Sequence, residues 1–317
     1  MIMNNRRSFI TGIKSTTLSI NEKIFLQQYK PWGVILFSRN IKSLKQCKKL
    51  TDQIKKIFRD YNYPILIDQE GGRVNRLYKF FDADFLTGEF FGKLYLNDKK
   101  KFNIHYKLFI KKTSFLLKSI GVNINTVPVL DIKLKGSSSI IGDRSFSKDP
   151  KIISKIGDIC ISNFHSNKIA TVIKHIPGHG LAKVDSHKLT PSVKKNLKYL
   201  ISNDFSTFKS KASLFAMTAH IIYTNIDNLN TATHSKKIIQ LIRNNIKFKN
   251  LIMSDDISMK SLKGSIHDNT VKAFNAGCDL VLHCNGNQKE MCTVAINSPL
   301  ISKFIIKKTS QFYKIIS

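Results

Sequence analysis

The feature that most constrains the fold of this 317-residue chain is an alternation between short apolar runs and longer segments of helical period. The apolar runs are rich in Ile, Val and Leu and are continuous, without the polar residue at every second position that a half-exposed strand shows. Continuous runs of this kind are typical of strands buried on both faces of a parallel sheet. We identify eight of them, at residues 8–11, 33–37, 64–67, 122–127, 170–173, 214–218, 251–253 and 279–282.

Helical segments lie between these runs. One shows the stripe of a helix that covers a sheet, formed by Ile152, Ile156, Ile159, Cys160 and Phe164. Strands that alternate with helices predict right-handed crossovers and a parallel sheet, and eight strands favour a closed α/β barrel of the (β/α)8 TIM type. No Gly-x-Gly-x-x-Gly follows the first strands, which disfavours an open nucleotide-binding sheet. We expect a single catalytic barrel domain over residues 1–317, with a C-terminal helical tail from about residue 287.

The composition is strongly basic, with 52 Lys+Arg against 21 Asp+Glu and a formal net charge of +31. Such a charge attracts polyanions. The lysines are nevertheless spread along the whole chain, and no recognisable nucleic-acid motif accompanies them. We therefore expect a solvated, compositionally biased surface with neither a nucleic-acid nor a membrane partner. A catalytically inactive polyanion-binding protein is the alternative from another functional class.

Cysteine use and the N-terminus bear on location. The five cysteines are an odd number without a Cys-x-x-Cys pair, which favours free thiols in a reducing compartment. No run approaches the ~20 apolar residues of a membrane helix. The apolar stretch after Arg7 is interrupted by Thr11, Gly12 and Lys14, which is too short and polar for a secretory signal. We expect a cytoplasmic monomer.

Ionisable residues follow five of the predicted strands. They begin at Asp68, Lys174, His220, Asp255 and His283. In a barrel the carboxyl ends of all strands lie on one rim, which is where such enzymes keep their active sites. A single carboxylate after a strand is explained by helix capping, whereas five such strand ends together predict an active site.

Several of these segments carry a resemblance to a known family. The segments are Asp68-Gln-Glu-Gly-Gly-Arg-Val-Asn-Arg76, Gly142-Asp-Arg-Ser-Phe-Ser147, Lys174-His-Ile-Pro-Gly-His-Gly180, Asp185-Ser-His187 and Ser254-Asp-Asp-Ile-Ser-Met259. Together they resemble the signature of glycoside hydrolase family 3 β-N-acetylhexosaminidases, most closely the single-domain bacterial type of peptidoglycan recycling. The resemblance runs in order from about residue 8 to 290. Ile176 stands where the family usually has Phe, a change between two apolar residues.

The resemblance implies a catalytic set of three residues. Asp255 matches the nucleophile and Asp256 is then structural, although spacing alone does not separate the two. His187 matches the acid/base, paired with Asp185 on a mobile loop. A histidine titrating near ~6.5 is suited to giving and then taking a proton, and a flanking carboxylate stabilises its cation.

The resemblance also implies a set of sugar-binding residues. Lys174 and His175 would bind the hydroxyls or the 2-acetamido group, and Asp68 would accept hydrogen bonds from hydroxyls. Arg76 and Arg144 are the further sugar contacts. Glu70 and Arg73, in the same motifs, are weaker candidates for sugar binding. They would instead form a structural ion pair. His179, between two glycines, is equally a loop-fixing residue or a ligand.

No cofactor is implied, and a metal is disfavoured. His175, His179 and His187 could be drawn as a zinc triad. Pro177 and Gly178 separate the first two histidines, so these cannot lie on one helical face as zincin ligands do.

The implied reaction removes terminal non-reducing β-linked N-acetylglucosamine (GlcNAc) from a disaccharide or muropeptide, with retention, through a covalent glycosyl-aspartate. A β-N-acetylglucosaminide phosphorylase is the alternative enzyme, because a histidine acid/base repels phosphate less than a carboxylate would.

Overall fold

The computed structural model describes residues 5–134, 136, 139–182, 184 and 189–317, and its centre is a closed barrel of eight parallel strands. These are β1 (Arg7–Gly12), β2 (Pro31–Leu36), β3 (Ile65–Ile67), β4 (Ile124–Asn125), β5 (Ala170–Ile176), β6 (Phe215–Thr218), β7 (Leu251–Asp256) and β8 (Leu280–His283). They follow chain order around the barrel, and β8 closes onto β1 with Ile10 opposite Leu282. Each predicted apolar run overlaps one strand, so the prediction of a (β/α)8 barrel is confirmed.

Helices surround the barrel and connect its strands. They are α1 (Ile20–Tyr29), α2 (Leu44–Phe58), α3 (Gly88–Asn97), α4 (Lys99–Ser119), α5 (Pro150–Ser166), α6 (Leu197–Ser202), α7 (Lys236–Asn244), α8 (Ile266–Ala276), α9 (Gln288–Asn297) and α10 (Lys303–Ile316). Short 3-10 turns lie at Ser38–Asn40, Gly142–Arg144 and Asp204–Phe208, and Ser192–Val193 pairs with Ile222–Tyr223 in a small separate sheet. Helix α8 begins at a capping box between Ser265 and Asp268 and ends at Gly277, whose φ of 110° suits glycine.

The strands are apolar throughout because both of their faces are buried. On β1, for example, Ile10 belongs to the cluster inside the barrel, whereas Phe9 belongs to the outer cluster between sheet and helices. Successive strand residues point to opposite faces, so continuous apolar runs supply both clusters at once.

The amino end of the barrel is closed by the C-terminal helix. Within the tail expected from residue 287, α10 brings Phe312 against Phe215 of β6, with ring centroids 5.9 Å apart. Trp32 of β2 donates its indole N–H to Thr309 of α10 at 2.9 Å. The tail therefore completes the barrel core. Among the helices within the described ranges, none is long and apolar enough to cross a membrane.

Candidate active site

A cavity of about 140 Å³ opens at the carboxyl end of the barrel. It contains all six predicted site residues that lie within the described ranges. Its lining consists of Asp68, Glu70, Val74, Arg76, Ile140, Arg144, Lys174, His175, His179, Met217, Asp255, Met259, Leu282 and Cys284. The remaining two predicted residues, Asp185 and His187, lie outside the described residues.

Lys174 of β5 is the centre of the charge network in this cavity. Its Nζ lies 2.9 Å from Asp68 Oδ1 and 2.6 Å from Glu70 Oε1, and donates to the Thr126 hydroxyl at 3.0 Å. The side chain is 2% exposed. An ammonium group has three donors, and these three contacts use all of them. Lys174 therefore organises the carboxylates that face the ligand space.

Two arginines complete the network around these carboxylates. Arg144 binds Glu70 through two hydrogen bonds of 2.8 Å, and Arg76 Nη2 lies 3.4 Å from Asp68 Oδ2. Burial alone would raise the pKa of both carboxyls. The cations outweigh burial, because Lys174 and Arg76 hold the pKa of Asp68 well below its usual range while Arg144 and Lys174 lower the pKa of Glu70 to about 2. Both side chains are therefore ionised acceptors.

The prediction of an ion pair between Glu70 and Arg73 is wrong. Glu70 pairs with Arg144 and Lys174, whereas Arg73 lies 3.4 Å from Asp143. The chain turns between these two residues through glycines with φ of 97° and 55°, which carries Arg73 away from the cavity network.

His175 is held by a carboxylate that the sequence did not indicate. Its Nδ1 lies 2.6 Å from Asp131 Oδ2, and Asp131 also accepts the backbone N–H groups of His175 and of His179. Asp131 is fully buried, and these contacts lower its pKa against the effect of burial. The contact assigns Nδ1 as the donor to Asp131 and leaves Nε2 as the second polar atom of the ring. Asp131 comes six residues after β4, behind the apolar pair 129–130, and this separation hid the strand-end signal.

Lys174 and His175 are neighbours in β5, yet both line the cavity. Regular strand residues would point to opposite faces. The pairing of β5 with β6 shifts register between Lys174 and Ile176, and an irregularity of this kind re-aims side chains. Local departure from the strand pattern therefore brings both residues of the motif to the ligand space.

The side chains of Asp255 and Asp256 point to opposite faces of β7, as successive residues of a strand do. Asp255 lines the cavity, whereas the Asp256 carboxylate accepts hydrogen bonds from the backbone N–H and hydroxyl of Ser258 and from the Cys284 N–H. Burial would raise the pKa of Asp255. His220 and His175 nearby, together with the Asp256 N–H that donates to it at 2.8 Å, lower the pKa instead. Asp255 is thus an ionised carboxylate with space in front of it.

The other strand-end histidines have different surroundings. His220 Nε2 lies 3.0 Å from the Asp256 carbonyl oxygen, and its Nδ1 lies 2.7 Å from the Thr233 hydroxyl. Burial lowers the pKa of His220, the neighbouring Asp255 carboxylate raises it, and the ring fixes the backbone beside Asp255 through its contact with the Asp256 carbonyl oxygen. His283 pairs with Glu290 at 2.9 Å and is absent from the cavity lining, although the strand-end pattern had included it.

His179 is part of the lining, and burial lowers the pKa of its ring to about 4. Its backbone N–H donates to Asp131 at 2.7 Å, an anchor for the loop after β5. Among the described residues there is no cluster of three or more His, Cys, Asp or Glu side chains arranged to hold a metal ion.

A family model described as the glycosyl hydrolase family 3 N-terminal domain matches residues 13–308. The chain belongs to glycosyl hydrolase family 3. The family resemblance inferred from the motifs is therefore confirmed, and the protein is a glycoside hydrolase.

Relatives in this family are similar over most of their length. A β-hexosaminidase of Hydrogenovibrio crunogenus is 33% identical over 282 residues, covering 87% of this chain and 78% of the relative. A β-hexosaminidase of Actinobacillus pleuropneumoniae is 34% identical over 288 residues, covering 87% and 80%. The crystal structure of NagZ from Neisseria gonorrhoeae in complex with N-trifluoroacetyl-D-glucosamine has a TM-score of 0.87 and 26% identity, covering 99% of this chain and 91% of that one.

Proposed function

We propose that this family 3 hydrolase is a retaining β-N-acetylglucosaminidase that removes terminal non-reducing β-linked GlcNAc. The observation that carries the proposal is the ionised Asp255 carboxylate, which lies next to the last residue of β7 and lines a small cavity shared with the ion network of Asp68 and Lys174. The names of the similar β-hexosaminidases, and the glucosamine derivative bound by the gonococcal NagZ, support this sugar.

Asp255 is proposed as the nucleophile. Its carboxylate attacks the anomeric carbon to form a glycosyl-aspartate, the leaving oxygen takes a proton, and water then hydrolyses the ester with retention. His220 and the Asp256 N–H favour the charged form of Asp255, so the attacking group is ionised before the substrate arrives.

The proton donor is proposed to be His187, assisted by Asp185. A carboxyl that serves as general acid needs a raised pKa. The three carboxyls that line the described part of the cavity, Asp68, Glu70 and Asp255, all have lowered pKa values. A histidine is a better donor than any of them, and the resemblance of the Asp185-Ser-His187 segment to the family motif supports His187 for that role.

The remaining lining residues are proposed to bind one sugar ring. Asp68 offers carboxylate oxygens as acceptors for hydroxyls, and His175 offers Nε2, while Arg76 and Arg144 border the same space. The cavity of about 140 Å³ is small beside pockets for drug-sized ligands, roughly 300–1,000 Å³. This size favours a single terminal residue and therefore an exo-acting enzyme. We propose GlcNAc-containing disaccharides or muropeptides from cell-wall turnover as the substrate.

The reaction is tested by incubating the protein with p-nitrophenyl β-N-acetylglucosaminide and, in parallel, the β-glucoside. We expect release from the N-acetyl substrate alone, with β-configured GlcNAc as the first product by proton NMR. Sugar 1-phosphate formed in phosphate buffer would favour the phosphorylase instead. Inactivity on both substrates would reject the proposal.

The acid/base assignment is tested by comparing His187→Ala with His175→Ala. A dinitrophenolate leaves without a proton, so the first variant should lose far less activity on the dinitrophenyl than on the alkyl glycoside. His175→Ala should instead lose activity equally on both substrates, mainly through KM. The opposite pattern would assign the acid to the His175–Asp131 pair.

A further inference from the structure

Helix α4 has an outer face unlike that of an ordinary surface helix. Its 21 residues contain seven lysines and no Asp or Glu. Among the exposed residues, Ile104, Leu108 and Phe115 are 52%, 57% and 63% exposed. At 3.6 residues per turn these three side chains fall on one line along the helix.

Lysines border this apolar line on both sides. Helical spacing places two of them along one edge and four along the other. They are Lys101 and Lys112 on the first edge, and Lys100, Lys107, Lys111 and Lys118 on the second. The expectation of a solvated surface rested on lysines scattered along the sequence, whereas the fold gathers these six around one apolar stripe.

An apolar groove continues the stripe towards α3. It has a volume of about 470 Å³, and Leu108 forms part of its wall with Phe81, Phe85, Phe90 and Leu94. Phe85 is 64% exposed and packs edge-on against Phe90 with ring centroids 6.0 Å apart. We call the stripe, its lysines and this groove the α4 face. A contiguous exposed apolar patch on a soluble fold marks an interaction site.

We propose that the α4 face binds the surface of an anionic lipid bilayer. Ile104, Leu108 and Phe115 enter the boundary between headgroups and acyl chains, and the flanking lysines extend to the lipid phosphates. Charge complementarity selects an anionic surface, because seven lysines of the helix meet one acidic side chain at its start, the N-cap Asp98, which lies 3.7 Å from Lys101. A nucleic acid fits less well, since its phosphates would lie against the apolar line between the two lysine rows.

This binding mode leaves the catalytic cavity accessible. Helix α4 lies on the outer wall of the barrel, whereas the cavity opens at the carboxyl ends of the strands. Interfacial binding also needs no membrane-spanning helix.

The test is co-sedimentation of the full chain with vesicles of phosphatidylcholine, with and without phosphatidylglycerol. We expect binding only when phosphatidylglycerol is present, and weaker binding as salt increases. The triple variant Lys107→Gln, Lys111→Gln, Lys112→Gln should lower the partition coefficient by about tenfold or more. The double variant Leu108→Ser, Phe115→Ser should lower it to a similar degree at unchanged charge.

Matched controls separate the α4 face from the general charge of the protein. Lys194→Gln, Lys195→Gln, Lys198→Gln removes the same charge from another exposed segment, and Leu229→Ser, Leu300→Ser removes exposed leucines elsewhere. Both controls should bind vesicles like the wild type, and thermal unfolding checks that every variant is folded. Equal losses in the control and α4 variants, absence of vesicle binding, or displacement from vesicles by duplex DNA would each overturn the proposal.

Discussion

The two ends of the barrel solve the burial of charge in different ways. At the amino end, Arg6 is 1% exposed and lies 2.6 Å from Asp60, with its guanidinium 4.8 Å from the centre of the Tyr63 ring. At the carboxyl end, Lys174 is shared between Asp68 and Glu70, which two arginines also contact. Inside the barrel, the amino end is filled by side chains of α10, whereas the carboxyl end retains a cavity.

This difference indicates that the amino end contributes mainly to stability, whereas the carboxyl end contains the groups for catalysis. At the amino end one cation is matched by one carboxylate and by aromatic neighbours, so its charge is already balanced within the fold. At the carboxyl end, several cations surround ionised carboxylates beside a cavity. This site is preorganised for a polar ligand, because its charges are in place before binding. Substitutions at the two ends should therefore separate activity from stability.

The largest effect is expected from Asp255→Ala at the carboxyl end. Loss of the nucleophile should reduce kcat by at least about a thousandfold. Stability should be unchanged or slightly higher, because a buried charge is removed from a functional site. Steady-state kinetics and thermal unfolding measure the two effects, with Asp255→Asn as the isosteric control. Retention of substantial activity by both variants would mean that Asp255 is not the nucleophile.

At the amino end, Phe312→Ala should destabilise the fold by about 3–5 kcal/mol, because a fully buried ring is lost from the barrel plug. The kcat/KM of the folded fraction should not change. Urea unfolding and low-temperature kinetics test this separation. Phe304→Ala, in the same helix but 37% exposed, is the control and should cost much less. A large fall in kcat/KM of folded Phe312→Ala would show that the two ends are coupled.

Lys174→Met sharpens the comparison, because it tests how far the active site also contributes to stability. It leaves Asp68 and Glu70 buried with one cation fewer, at a cost of roughly 3 kcal/mol near neutral pH. The folded pKa values of both carboxyls lie below their unfolded values, so they stabilise the fold above about pH 4 and lose that effect as pH falls. For Glu70 the loss extends down to about pH 2.

In Lys174→Met the folded pKa values of both carboxyls should rise towards their unfolded values, because one cation is lost. The acid-dependent loss of stability should therefore be smaller and should end at a higher pH, as measured by urea unfolding across a pH series. Lys211→Met is the matched control, because Lys211 is a buried lysine whose partner Asp158 is largely exposed. That variant should cost less and leave the acid profile unchanged. Identical profiles for the two variants would argue against the shared role of Lys174.

The smallest effect is expected from Thr309→Val. The isosteric change leaves the buried indole N–H of Trp32 without its acceptor and should cost about 1–3 kcal/mol in unfolding free energy. Thr309→Ser keeps the hydroxyl and is the control. Activity should be the same in both. A loss no greater than that of Thr309→Ser would mean that the hydrogen bond contributes little to closing the amino end.

Sequence reasoning succeeded where the signal was local and periodic. The run at residues 251–253 located β7, and the polar residues after it located the cavity rim. It failed where partners are distant in the chain, as with Asp131, which binds His175 across 44 residues. The contact of Lys174 with Asp68 spans 106 residues. Such pairs depend on strand register and barrel closure, and no short segment of sequence encodes these.

By itself, the sequence determined the eight strands, their parallel arrangement and the rim that holds the polar motifs, because hydrophobic period and strand direction are local properties. Spacing alone did not separate Asp255 from Asp256, and the tertiary structure shows that Asp255 lines the cavity. Only the tertiary structure decided that Lys174 and His175 both line it. It also decided that α10 fills the amino end. Side-chain direction follows from local backbone geometry, but the partner a side chain meets is set by closure of the whole barrel.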